Sequence, residues 1–209
     1  MSGKIKQGQM IVSGVIDVNI AIKGTPINTV FLNTTCGLAP PIDLIIPNGT
    51  VVTLRRGTIA RKVTVVEAFG GEECAENQLD MSLALMKIFH IKAFTRFVAT
   101  YNPNTKSLTL RRKPVTINKV LLTSSSRVRL RSVVIGDLLA ELQGNLLEEG
   151  EFLTLKHGTT RLRLRNVRIV NPFNTDFRLN PLTIRRLGLI AGKTYRVAYN
   201  QITREMTFL

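Results

Sequence analysis

Over several short stretches of the chain, apolar and polar residues alternate with a period of two, the pattern of a strand with one buried and one solvated face. From Arg127 to Ser132, and again from Arg161 to Arg165, arginine takes every second position. The alternation predicts one strand with Arg127, Arg129 and Arg131 opposed to Val128, Leu130 and Ser132. It predicts another with Arg161, Arg163 and Arg165 opposed to Leu162 and Leu164. With Leu187, Leu189 and Val197, the inward members Val128, Leu130, Leu162 and Leu164 make the expected core of the C-terminal half. No segment holds a 3.6-residue apolar period long enough for a helical bundle, and β-branched residues are abundant. Helices are therefore expected only as short pieces, one from Gly136 to Leu142 and one of a turn or two from Leu182. The fold class that follows is all-β with short helices.

An internal repeat organises these elements. Val52-Thr53-Leu54-Arg55-Arg56-Gly57-Thr58 recurs 101 residues later as Leu153-Thr154-Leu155-Lys156-His157-Gly158-Thr159. Tyr101-Asn102, followed by Lys106-Ser107-Leu108-Thr109-Leu110, recurs 98 residues later as Tyr199-Asn200, followed by Arg204-Glu205-Met206-Thr207-Phe208. Two sister halves are implied, a first barrel domain with its N-terminal strand in residues 1–113 and a second in 114–209, joined at Arg111-Arg112-Lys113-Pro114. Each half divides again. Residues 135–159 and 182–195 both read as a short helix, a turn and a strand, and residues 41–65 and 83–110 follow the same grammar, with turns at Asn48-Gly49 and Asn102-Pro103-Asn104. Four copies of one small unit result.

A short helix ending in Leu187-Gly188-Leu189, then the turn Ala191-Gly192, then the strand Thr194-Tyr195-Arg196-Val197 resembles the repeating unit of double-psi β-barrels, two units of which make one barrel. The stretch is most similar to the barrel modules at the front of endospore coat-associated ATP-grasp-like proteins of spore-forming bacteria. The resemblance covers residues 115–209 and, more loosely, 8–112, where the turn equivalent to Ala191-Gly192 is Lys92-Ala93-Phe94 and lacks glycine. It implies two tandem double-psi-like β-barrels and an association with spores. The ATP-grasp catalytic region has no counterpart here, so ligase activity is not carried over.

Charge and chemistry narrow the function further. The 209 residues carry 29 Lys+Arg against 14 Asp+Glu, a net charge of +15, with 44% hydrophobic residues, so the chain has material for a core and favours anionic partners. The surplus is shared by both halves but differs in kind, with 12 Arg and 3 Lys after residue 114 against 6 Arg and 8 Lys before it. Arginine's planar fork suits phosphate and carboxylate. The candidate anion-binding residues are Arg127, Arg129, Arg131, Arg161, Arg163, Arg165, Arg185 and Arg186; a solvated barrel exterior is the competing account of them. Base stacking has little support, since Trp is absent and there are only 9 Phe and 3 Tyr.

Catalytic residues, metal ligands and cofactors are not expected. His157 suits a hairpin turn and His90 a helix end. The acidic clusters Glu72/Glu73/Glu76 and Glu148/Glu149/Glu151 read as solvated loops, with a bound divalent cation as the alternative. Cys36 and Cys74 are expected as reduced structural thiols, or as a bridge in an oxidising compartment. Met1–Gln9 shows no export signal, and no apolar run approaches the roughly 18 residues of a membrane span, which points to a cytoplasmic protein. The expected function is a non-enzymatic binding or assembly protein with protein partners or self-association; a sequence-tolerant nucleic-acid or acidic-polymer binder is the alternative.

Overall fold

The structure, a computed structural model, describes residues 11–37, 39, 42–69, 76–144, 149–169 and 174–209. It divides into two compact units, Met1–Lys113 and Pro114–Leu209. The first contains β1 (Val12–Ile20), β2 (Thr29–Asn33), β3 (Val51–Arg56), β4 (Ile59–Glu67), β5 (Gln78–Met81), α1 (Leu83–Ile88), β6 (Thr95–Asn102) and β7 (Ser107–Arg112). The second contains β8 (Val115–Ser124), β9 (Ser132–Gly136), α2 (Asp137–Leu142), β10 (Phe152–His157), β11 (Thr160–Ile169), β12 (Phe177–Leu179), α3 (Pro181–Leu187), β13 (Thr194–Asn200) and β14 (Glu205–Phe208).

Each unit closes into a seven-stranded barrel, in the orders β1-β5-β2-β4-β3-β7-β6 and β10-β11-β9-β12-β8-β13-β14. Renumbered from its own first strand, the second order is the first. Within the second barrel, exchanging β8, β9 and β10 for β11, β12 and β13 and reversing direction leaves β10-β11-β9-β12-β8-β13 unchanged. Strand senses obey the same exchange, since β9∥β11 corresponds to β12∥β8, and antiparallel β10–β11 to antiparallel β13–β8. The repeated unit is thus strand, strand, helix, strand, and β14 is the odd strand, set parallel to β10 and antiparallel to β13. Both barrels have the tandem, internally repeated architecture that the repeat implies.

The sister barrels agree down to individual hydrogen bonds. Thr53 N–H donates to the Lys106 carbonyl at 2.8 Å as Thr154 N–H does to that of Arg204 at 2.9 Å, and Gly49 N–H to Val65 at 2.8 Å as Gly150 N–H to Asn166 at 2.9 Å. Alternate strand positions fill the cores. In the second barrel Val120, Leu122, Val133, Leu153, Leu155, Leu164, Phe177 and Val197 point inward, and α3 adds Ile184 and Leu187 to the same cluster. In the first, Ile16, Val18, Val30, Leu54, Val63, Leu79, Phe97 and Leu108 do so, joined by Leu85, Met86 and Phe89 from the region of α1. Gly136, at the start of α2, admits no side chain, because a Cβ there would lie 2.2 Å from the Asn174 carbonyl oxygen.

Three expectations are corrected. Residues 125–131 are not a strand but consecutive turns, closed by Val128 N–H to the Ser125 carbonyl at 3.2 Å and Ser132 N–H to that of Arg129 at 3.0 Å. Val128 is buried as expected, but Leu130 is 53% exposed, because turns do not impose the period of two. The helix expected after residue 41 is missing from residues 42–47, where Leu44 and Ile46 are buried from an irregular segment. Pro40, Pro41 and Pro47 lie within eight residues there, and each lacks the N–H that a helix interior needs. Finally, Cys36 is buried and disulfide-bonded, not a reduced thiol; Cys74 lies outside the described residues.

Candidate anion-binding site

The hairpin β10–β11 carries the arginine row. Arg161, Arg163 and Arg165 are exposed on β11, Leu164 between them is buried and Leu162 partly so, as the alternation predicts. Across the hairpin, Phe152 stands opposite Arg165, Thr154 opposite Arg163 and Lys156 opposite Arg161. The Arg163 guanidinium lies 4.3 Å from the centroid of the Phe152 ring, on the diagonal. Arg161 donates to the Glu205 carboxylate at 2.9 Å.

The other five arginines sit on elements bonded to this hairpin. The Arg165 N–H donates to the Arg131 carbonyl at 2.8 Å, which ties the 125–131 turns to β11. The same turns are held from α3, where Asn180 Nδ2 donates to the Val128 carbonyl and Thr183 Oγ1 to that of Leu130, both at 2.8 Å. Asn180 also caps α3, accepting from Leu182 N–H at 3.0 Å, and Pro181 opens the helix where no N–H is required. Arg185 and Arg186 are exposed in its last turn, where cations suit the helix dipole, before Gly188 ends it at φ 65°. His157 Nδ1, at the tip of the hairpin, is 2.7 Å from the Leu187 carbonyl, so its ring locks hairpin to helix. All eight candidates therefore lie on three mutually bonded elements. The expected second strand row does not exist, because Arg127, Arg129 and Arg131 lie in turns. Apart from Arg161, no candidate has a carboxylate partner among the described residues.

Comparison with the sister barrel separates these arginines from the needs of the fold. Matching bonds align the two: Thr64 N–H donates to Asn28 as Arg165 N–H does to Arg131, and Thr29 N–H donates to Pro26 as Ser132 N–H does to Arg129. The counterparts of the eight candidates are Gly24, Pro26, Asn28, Ala60, Lys62, Thr64, Lys87 and Ile88. Two of those eight are basic. The same backbone forms with and without the arginines.

The first barrel holds a charged cluster that the sequence reading passed over. Asp17 on β1 stands opposite Arg96 on β6, and Arg96 Nε and Nη2 each donate to its carboxylate at 2.9 Å. Arg96 Nη2 is also 2.9 Å from Glu76 Oε1. Burial opposes the Arg96 charge, but the two carboxylates outweigh it and hold its pKa above the ordinary value. Burial raises Asp17 against the opposing pull of Arg96 and Lys113. Glu76 is pushed up to about 6, by burial first and with the Asp17 charge adding. Asp17 and Arg96 are the lone charges in their strands, the one signal that marked them. The cluster stitches β1, β6 and the approach to β5, and its counterparts in the second barrel are Leu121, Thr194 and Asn174.

Each acidic cluster contributes one carboxylate to an ion pair, while Glu149 is exposed in a turn, as the solvated-loop reading expects. Glu76 pairs with Arg96, and Glu151 with Arg204 at 2.8 Å, so neither is a free loop carboxylate. Glu72, Glu73 and Glu148 lie outside the described residues. Among the described residues no group of three or more His, Cys, Asp or Glu is placed to hold a metal ion, and no helix is long and apolar enough to cross a membrane. The first barrel also has an open cleft of about 680 Å³ lined by Val12, Ile45, Pro47, Tyr101 and Pro103 together with Asp43, Thr50 and Lys106. Its position in the second barrel carries the Glu151–Arg204 pair, where the first has Thr50 and Lys106. No family model matches the chain, and no curated protein or solved structure matches it either.

Proposed function

We propose that this chain is a non-enzymatic binding protein whose second barrel holds phosphate-bearing polyanions on the arginine surface formed by β11, α3 and the 125–131 turns. One observation carries the reading. Arginine replaces mostly uncharged sister residues at eight positions on three connected elements, and seven of the eight have no carboxylate partner among the described residues. Like charges gathered without counter-charges favour an external anion.

Binding to polyphosphate, duplex DNA and single-stranded oligonucleotide should therefore weaken steeply with salt, with a log–log slope of about 0.9 per duplex phosphate neutralised. Replacing Arg163 and Arg165 together with Ser should lower that slope by up to roughly two, while Lys62→Ser in the sister barrel leaves it unchanged. Absence of salt-dependent binding to all three polymers refutes the proposal. A second reading, assembly with protein partners or with copies of itself, is favoured by the open apolar cleft of the first barrel, where Ile45 is 74% exposed. It is also the direction of the resemblance to spore coat-associated proteins. Association that grows with protein concentration in sedimentation, and that persists at high salt, would support it.

A further inference from the structure

The composition argues against base stacking, yet the structure sets an aromatic ring inside the arginine surface. Phe152 is 46% exposed on the outer side of β10, directly opposite Arg165 and beneath the Arg163 guanidinium at 4.3 Å. An exposed phenylalanine on a charged strand face gives the fold little. The sister position is Val51, itself 52% exposed, in a barrel of the same topology.

We infer that the polymer held by the second barrel is single-stranded nucleic acid, with a base stacked at the Phe152–Arg163 pair and a flanking phosphate on Arg165, which unlike Arg161 has no carboxylate partner among the described residues. This rests on the polyanion reading above and names its ligand. Two observations combine. A strand spaces alternate residues about 6.5–7 Å apart, so the three arginines rise as a row from the exposed face of β11, along which a flexible backbone can run. The ring and the guanidinium add a planar, cationic platform within that row, and every base has a π-face to offer it, so recognition is sequence-tolerant. A duplex keeps its bases stacked on one another and leaves the platform unused; inorganic polyphosphate has no base at all.

The test compares three probes on the full chain by fluorescence anisotropy or competition: a dT oligonucleotide, the duplex of the same length, and polyphosphate. Phe152→Val installs the sister residue, which the fold already accommodates, and should weaken dT binding about 5- to 100-fold while changing duplex and polyphosphate binding little. Phe152→Tyr, which keeps the ring, should retain dT affinity. Equal losses on all three probes, or none, overturn the stacking site. Tight binding of polyphosphate without binding of dT overturns it too while leaving the polyanion reading intact; failure to bind any of the three removes both.

Discussion

Two residues in the first barrel hold a backbone conformation that the second assigns to glycine. Gly188 and Gly192 have φ of 65° and 79°, and their counterparts His90 and Phe94 have φ of 52° and 57°. The bonds around them match: His90 N–H donates to Lys87 as Gly188 N–H does to Arg185, and Phe94 N–H to Val18 as Gly192 N–H to Leu122. The left-handed region costs a side-chain-bearing residue roughly 1–2 kcal/mol. His90→Gly should therefore raise the unfolding free energy obtained from chemical denaturation by about 0.5–1 kcal/mol after the loss of glycine's extra freedom on folding, and Gly188→Ala should lower it by a comparable amount. Glu76 makes a pH prediction at the same scale. Its folded pKa of about 6 lies above the ordinary 4.5, so the folded state takes up its proton more readily than the unfolded chain. Its contribution to stability is fully present below pH 4.5 and lost as pH rises to about 6. Denaturation of the wild type and Glu76→Gln across that window should show the wild type losing at most about 2 kcal/mol relative to the variant.

Among the elements, the join of β1 to β6 concentrates the most charge in the least water. Removing one member of a buried pair typically costs about 3–5 kcal/mol, because it strands the other. Arg96→Thr alone, which leaves Asp17 and Glu76 without it, should approach that loss in equilibrium unfolding. The triple variant Asp17→Leu, Arg96→Thr and Glu76→Asn, which copies the second barrel, should recover more than half of it. How much of this was legible follows from periodicity. β11 is exposed on one face, so its arginines and leucines alternate visibly; β9 is buried on both faces from Ser132 to Gly136 and shows no alternation to read. The arginine–valine–arginine run of residues 127–131 mimics a strand in sequence, but bonds from Asn180 and Thr183 hold it as turns, and those partners lie some fifty residues away. The candidate surface was thus legible in its residues and not in its geometry. The Asp17–Arg96–Glu76 cluster stayed hidden because its members are far apart in sequence and meet only through strand pairing.

Each unit as a whole closes its ring of strands around its own hydrophobic cluster, and this makes it a candidate for independent folding. Residues 114–209 expressed alone should unfold in one cooperative transition and retain the salt-dependent binding of the full chain, whereas residues 1–113 should fold without it; a second unit that fails to melt cooperatively would refute this. Leu189 is 6% exposed in that unit's core, and its truncation to Ala should lower the unit's stability by about 2–5 kcal/mol. The place of β1 between β5 and β6 governs how the molecule comes into being on the ribosome. β1 pairs only with strands made much later than itself. At ordinary elongation rates Val12–Ile20 waits roughly ten seconds for Thr95–Asn102 to emerge, with both hydrogen-bonding edges open. Ser13, Asp17 and Asn19 break what would otherwise be an adhesive apolar run, so residues that join or border the finished barrel first serve to keep the nascent chain from sticking to its neighbours.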